Sequence, residues 1–214
     1  ESRNCSSAFI MKQINGNSNE AAKQFVEYLK KCNIKSDIQP YPSIALGAVE
    51  ISLFEMVQAY TMFPGAGYNA QPFFINRIED KNGNVLESYS PQRRKVIKEE
   101  TAYSVVSMMQ GVIQKGTGRS MYSYAVPTQS IAGKTGTTND NSDLWFMGYT
   151  PQLLAGAWVG CDDRYIRFSD NYFGQGAHAS LPIWANFMSK VAADPACNLD
   201  ANASFERPSS MLND

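Results

Sequence analysis

The chain has 214 residues, 43% of them hydrophobic and 18% charged, with a formal net charge of −1. That is the make-up of a folded domain large enough for a real core, and it argues against both disorder and a nucleic-acid-binding surface. The longest apolar run, about Leu153 to Gly160, is far short of the roughly 20 residues that a spanning helix needs.

Residues 5 to 14 carry Ala8, Phe9, Met11 and Ile14 at helical spacing, and Asn15-Gly16-Asn17 ends the pattern. Ser18 is the predicted N-cap of a second helix over Glu20 to Lys31, with Phe25, Tyr28, Leu29 and Cys32 in phase. Ile38 to Ser43, with Pro40 and Pro42, is a stiff connection. Ser52 followed three residues later by Glu55 is a capping box, and Met56, Val57, Tyr60 and Phe63 form one core-facing stripe behind it. Pro64-Gly65 stops that helix.

From Pro72 the period changes. Phe74, Ile75 and Ile78, then Asn82-Gly83, then Val85-Leu86, read as a hairpin around an Asn-Gly turn. Arg93-Arg94-Lys95 with Lys98 is locally basic, but Glu99 and Glu100 follow directly, which reads as a solvated loop. A long helix runs from about Glu99 to Gln114. Its acidic first turn suits the helix dipole, and Val105, Val106, Met108, Met109, Val112 and Ile113 give it a broad apolar face. Residues 131 to 138, 143 to 150 and 152 to 161 read as three antiparallel strands, and Leu181 to Val191 as a closing helix. This order predicts an α+β domain: an antiparallel sheet covered by helices, with a helical lobe built from the early residues.

The strand Ile131 to Thr138 has an odd composition for a core strand, with Lys134, two glycines and several hydroxyls. Glycine weakens a strand and often marks close approach of another backbone. Alternation puts Lys134, Gly136 and Thr138 on one face and Thr135 and Thr137 on the other. An extended peptide added along such a strand would find hydroxyls and a cation for its carboxylate. A surface hairpin with a solvated lysine is the plain alternative. Together with Ser2-Arg3-Asn4, the strand resembles the K-T-G and S-x-N motifs of the penicillin-binding proteins. Ala45-Leu46-Gly47, Glu50 to Met56, Glu100 to Tyr103, Gly116-Thr117-Gly118, Trp145 to Pro151 and Leu181 to Trp184 extend the resemblance over roughly residues 1 to 193. It is closest to the transpeptidase domain of the bifunctional, class A members, which leaves residues 194–214 as a tail or linker.

The resemblance implies serine acyl transfer from D-Ala-D-Ala stem peptides, with acylation by β-lactams. It makes Ser2 a proton relay, Asn4 a hydrogen-bonding partner of the substrate amide, and Lys134 the charge that polarises the relay and favours a carboxylate. Thr135 and Thr137 offer hydroxyls to that carboxylate, the Thr137 N–H is an oxyanion donor, and Gly136 lets the substrate backbone lie close. No cofactor or metal is implied. Ser2 and Asn4 as a polar cap on the first helix is the competing reading.

One departure is large: the family's nucleophile is the serine of S-x-x-K, upstream of S-x-N, and no S-x-x-K occurs in this sequence. The chain is therefore expected to be a fragment, inactive alone. Its nucleophile and a membrane anchor would lie on an upstream segment at the extracytoplasmic (periplasmic) face of the inner membrane, among other cell-wall synthesis proteins. D,D-carboxypeptidases and β-lactamases share the motifs and differ in whether water or an amine takes the acyl group. A non-catalytic module binding wall peptides or β-lactams is the alternative that the missing serine favours.

Other chemistries find little support. His178 is the only histidine and there is no G-x-S-x-G elbow. Asp162 and Asp163 point to opposite faces if extended, and Asp140 and Asp143 suit turn chemistry. Cys5, Cys32, Cys161 and Cys197 lack a C-x-x-C pair, which argues against zinc; two disulfides, in three pairings, and free thiols both fit. Trp145 is expected in the core.

Overall fold

The computed structural model describes residues 2–126 and 130–212. Glu1 and the last two residues of the tail lie outside that range. Helices α1 (Asn4–Asn15), α2 (Ser18–Lys31) and α3 (Leu53–Tyr60) form a helical lobe. Its core holds Met11, Ala21, Ala22, Val26, Cys32, Ile34, Ile38, Ile44, Ala59 and Met62. The alanines of α2 let the helices approach closely. The α3 capping box is present with both reciprocal bonds. Glu55 also accepts from Ser36 Oγ and from the N–H groups of Lys35 and Ser36, which ties the loop after α2 to α3. The cap of α2 is Asn17, not the predicted Ser18: Asn17 Oδ1 accepts from the N–H of Asn19 and Glu20, and Ser18 sits inside the helix.

The sheet that organises the rest has the order β5 (Ala132–Thr137), β6 (Asp143–Tyr149), β7 (Leu154–Gly160), all antiparallel. Residues directly opposite each other share a face. Leu144, Phe146, Gly148, Ala155 and Ala157 therefore face α5 (Ser180–Ala193), whose Leu181, Trp184, Ala185 and Met188 are fully buried. Met147 and Gly156 face the helical lobe: a Cβ on Gly156 would lie 2.9 Å from both Leu53 and Val57 of α3. The long helix α4 (Glu99–Lys115) runs along β5, with Val106 packed on Ala132 and Tyr149. The predicted α+β arrangement is thus the one observed.

Two small sheets complete the fold. β2 (Arg77–Glu79) and β3 (Val85–Ser88) form the Asn-Gly hairpin. β1 (Tyr68–Ala70) pairs with β4 (Arg93–Lys95), so the basic cluster read as a loop is a three-residue strand. Lys95 lies over the Tyr68 ring, 5.6 Å from its centroid.

Three further expectations change. The core tryptophan is Trp184, 1% exposed; Trp145 is half-buried and tilts against Trp158 at 6.5 Å. Met108 leaves the apolar face of α4 and is 66% exposed. On α1 only Met11 is buried, while Phe9, Ile10 and Ile14 are exposed. All four cysteines are free. The segment after α5 folds back: Phe205 packs edge-on against Tyr149, and Ser210 Oγ donates to Glu100 at 2.7 Å.

Candidate active site

β5 is an edge strand, paired on one side only among the described residues. Which backbone groups face its open side follows from one contact. The Thr138 N–H donates to Asp143 O at 3.1 Å, toward β6. Backbone N–H and C=O groups alternate in direction along a strand, so those of Thr137 and Thr135 point to the open edge. The edge thus offers the Thr137 N–H as a donor beside the Thr135 carbonyl.

Lys134 reaches the same edge. Its Nζ lies 2.6 Å from Thr135 O and 3.3 Å from Ser2 Oγ, a residue 132 positions away in the sequence. Burial lowers the Lys134 pKa. Among the described residues it makes no ion pair. A partly desolvated ammonium is receptive to an anion, because a carboxylate restores what burial removed. Ser2 and Asn4 do not cap α1: Arg3 is the N-cap residue, and no side-chain cap bond forms. Asn4 opens the helix with its side chain exposed.

The two threonines are held differently. Thr135 is buried, and its hydroxyl lies 2.7 Å from that of Thr117 in the turn after α4. Thr137 is exposed, and its Oγ1 accepts the Gly176 N–H at 3.1 Å. Gly136 sits against Trp145: a Cβ there would lie 3.0 Å from the Trp145 Cβ, tight against the neighbouring strand. Lys134, Thr137 and Ser2 therefore meet at the open edge, with Gly136 between them on the strand, while Thr135 presents its carbonyl there and its hydroxyl inward. From sequence Thr117 is only part of a segment that resembles the family, and neither it nor Gly176 is assigned a contact to β5. Neither carries a periodic or compositional signal that links it to a strand far along the chain.

The β5–β6 turn is closed by a polar network. Thr138 Oγ1 accepts from the N–H groups of Ser142 and Asp143, and Ser142 Oγ lies within reach of both the Asp140 and Asp143 carboxylates, each contact at 3.0 Å, sharing its one proton between them. The Ser142 hydroxyl holds the Asp140 carboxyl below its usual range. These aspartates do turn work. His178 stacks on Tyr172 at 4.1 Å with Nδ1 at 2.7 Å from Tyr172 O, and Asp163 accepts from the Tyr165 N–H. None of these groups joins Lys134.

A family model described as the penicillin binding protein transpeptidase domain matches residues 11–160. That span includes all of β5 and begins after Ser2 and Asn4. Penicillin-binding protein 1A of Aquifex aeolicus is 36% identical over 172 residues, covering 80% of this chain and 22% of that protein. Penicillin-binding protein 2D of Bacillus subtilis is 34% identical over 172 residues, covering 77% of this chain and 24% of that protein. The chain thus spans about a quarter of the length of these curated relatives. Among solved structures, penicillin-binding protein 1A from Haemophilus influenzae matches with a TM-score of 0.83 at 21% identity, over 98% of this chain and 35% of that one. The PonA1 protein from Mycobacterium tuberculosis, in complex with penicillin V, matches at 0.73 and 23% identity, over 94% of this chain and 56% of that one. At these identities the structural likeness is one of fold.

Proposed function

The chain belongs to the penicillin-binding protein transpeptidase domain family, and from that premise we propose that it carries the substrate-binding strand and the proton relay of a peptidoglycan D,D-transpeptidase. The observation that supports this most is the meeting of Lys134 and Ser2 at the open edge of β5, with the Thr137 N–H turned the same way.

In this reading residues 1–193 are the C-terminal part of the transpeptidase domain and 194–214 a tail. The nucleophilic serine comes from a segment outside these residues. Its Oγ attacks the carbonyl carbon of the D-Ala-D-Ala bond while an extended stem peptide lies along β5. The Thr137 N–H donates to the oxyanion as it forms. Collapse breaks the C–N bond, and the proton given up by the attacking serine passes through Ser2, which the Lys134 charge keeps polarised, to the departing D-Ala amine. Asn4 orients the substrate amide. An amine from a neighbouring stem peptide then attacks the acyl ester and frees the serine. A β-lactam enters by the same first step, and its ring opening leaves the acyl group on the serine.

The peptide's terminal carboxylate sits near Lys134 and the Thr137 hydroxyl, and Gly136 lets its backbone come close. Thr135 contributes through its carbonyl and through the bond to Thr117 that holds the strand. No described helix is long and apolar enough to cross a membrane. The reading places the chain at the extracytoplasmic face of the inner membrane, anchored from outside these residues and working beside other cell-wall enzymes.

The test is Lys134→Ala in the protein that carries this chain together with an S-x-x-K segment. Benzylpenicillin acylation, followed by intact mass, should slow by about 100-fold or more, with the melting temperature preserved. Acylation at the wild-type rate would remove Lys134 from the mechanism and this reading with it.

A further inference from the structure

We propose that Gly176 is a positioning residue for Thr137: its backbone N–H fixes the Thr137 hydroxyl so that the O–H proton is presented to the carboxylate of the substrate. The inference rests on the reading of β5 as the carboxylate-binding strand.

The segment between β7 and α5 has no regular structure, yet it is tied down at several points. Asp170 Oδ1 accepts from the N–H groups of Tyr172 and Phe173 at 2.7 and 2.8 Å, and Asp170 O accepts from Gly174 at 3.1 Å. Asn141 donates to Asn171 at 3.2 Å and Arg167 pairs with Asp140 at 3.2 Å, which joins the segment to the β5–β6 turn. At its other end the Leu181 N–H donates to Gly176 O at 2.8 Å, locking Gly176 to the first turn of α5. The Gly176 N–H is therefore aimed by the frame, and it meets Thr137 Oγ1 at 3.1 Å.

Only glycine fits there. A Cβ on Gly176 would lie 2.4 Å from Trp145 O and 2.6 Å from Gly136 O, both backbone atoms of the sheet that cannot swing aside. The chemical effect is directional. A threonine hydroxyl has one proton to donate and two lone pairs to accept with. Accepting the Gly176 N–H commits a lone pair and turns the proton away from the loop, toward the exposed side of Thr137. A hydroxyl without that bond distributes its proton over the staggered wells.

The experiment compares acylation by benzylpenicillin and by its methyl ester, in the protein carrying this chain and an S-x-x-K segment. The ratio of the two rate constants reads carboxylate recognition alone, and a merely structural defect slows both reagents in parallel. Gly176→Ala should lower the acid-over-ester preference by about threefold, the cost of spreading one proton over three staggered wells. Thr137→Val should lower it by about tenfold, the worth of one hydrogen bond to a carboxylate; Thr137→Ser should restore it, and Gly176→Ala added to Thr137→Val should lower it no further.

A parallel loss for both reagents, or an unchanged preference in Gly176→Ala beside a lowered one in Thr137→Val, overturns the inference and leaves the function standing. An unchanged preference and rate in both Thr137→Val and Lys134→Ala overturns the functional reading itself. Should Gly176→Ala fail to fold, Asp170→Ala decides. It releases the loop without touching β5, and a fall of about threefold is expected; an unchanged preference refutes the inference.

Discussion

Gly148→Ala is a substitution for which backbone and packing arguments predict opposite signs. Where the backbone tolerates both residues, Gly→Ala stabilises by about 0.4–1 kcal/mol through the unfolded chain. At Gly148 a Cβ would lie 2.6 Å from Phe146 Cε1, 2.6 Å from Trp184 Cε2 and 2.9 Å from Trp184 Cζ2. Carbon atoms pack at about 3.5–4.0 Å, so each overlap is close to 1 Å. Neither ring can yield. Phe146 is 0% and Trp184 1% exposed, their rings meet edge-on at 5.5 Å, and Trp184 Nε1 donates to Gly148 O at 3.0 Å. Gly148 itself lies on the central strand, fixed between β5 and β7. Overpacking of this kind costs about 1–3 kcal/mol, and with two rings the upper half applies, so the net loss is about 1–2 kcal/mol.

Trp184→Leu should cost about 3 kcal/mol, from lost contacts and the lost bond to Gly148 O. In that background the added methyl enters space the indole has left. Gly148→Ala should then be neutral or mildly stabilising, a coupling of about 2 kcal/mol. Urea unfolding of the four proteins measures this from the midpoints, provided the slopes agree. Additive effects within about 0.5 kcal/mol, or a stabilised single Gly148→Ala, would refute the reasoning.

Two further outcomes follow from the packing and hydrogen bonding. Burial acts to raise the Glu55 pKa, but hydrogen bonds from Ser36, Lys35 and Ser52 outweigh it and hold the carboxyl down to about 2. Against an unfolded value of about 4.3, its stabilisation is complete above that pH and lost as pH falls toward 2. Glu55→Gln should flatten this part of the acid limb in a pH series of urea midpoints, and an unchanged limb would count against the role. Trp145→Ala should cost about 2 kcal/mol, below Trp184→Ala, because Trp145 is partly exposed and Trp184 fully buried; equal losses in the midpoints would contradict the burial difference.

Local rules carried much of the fold. The Ser52–Glu55 box and the Asn82-Gly83 hairpin are signals that a few neighbouring residues fully specify. What escaped depends on partners far along the chain. β1 and β4 are three residues each, too short for a period, and Arg93–Lys95 is a strand only because Tyr68–Ala70 lies beside it. Trp145 and Trp184 look alike in sequence, yet only the second lies in the core under α5. At the site, the composition of Ile131–Thr138 marked the strand, and alternation separated Lys134 from Thr135 and Thr137. That the two threonines answer to different loops, one to Thr117 and one to Gly176, is tertiary information. Asn17 took the cap from Ser18 because either side chain suits it, and the backbone at Asn17 is the extended one.

The helix that carries Asn4 packs on α2 and on the turn at Pro42–Leu46 and fully buries one side chain. Met11 is the buried residue of α1, while Phe9, Ile10 and Ile14 face outward. A straight helix pivoting there is a lever: Asn4 lies seven residues away, about 10 Å along the axis. A tilt of about 5° about Met11 would sweep Asn4 by about 0.9 Å relative to β5. Displacements of that size at reacting groups cost about 100-fold in rate. If Asn4 orients the substrate amide as proposed, load on the outward side of α1 is geared to the alignment of Asn4 with β5.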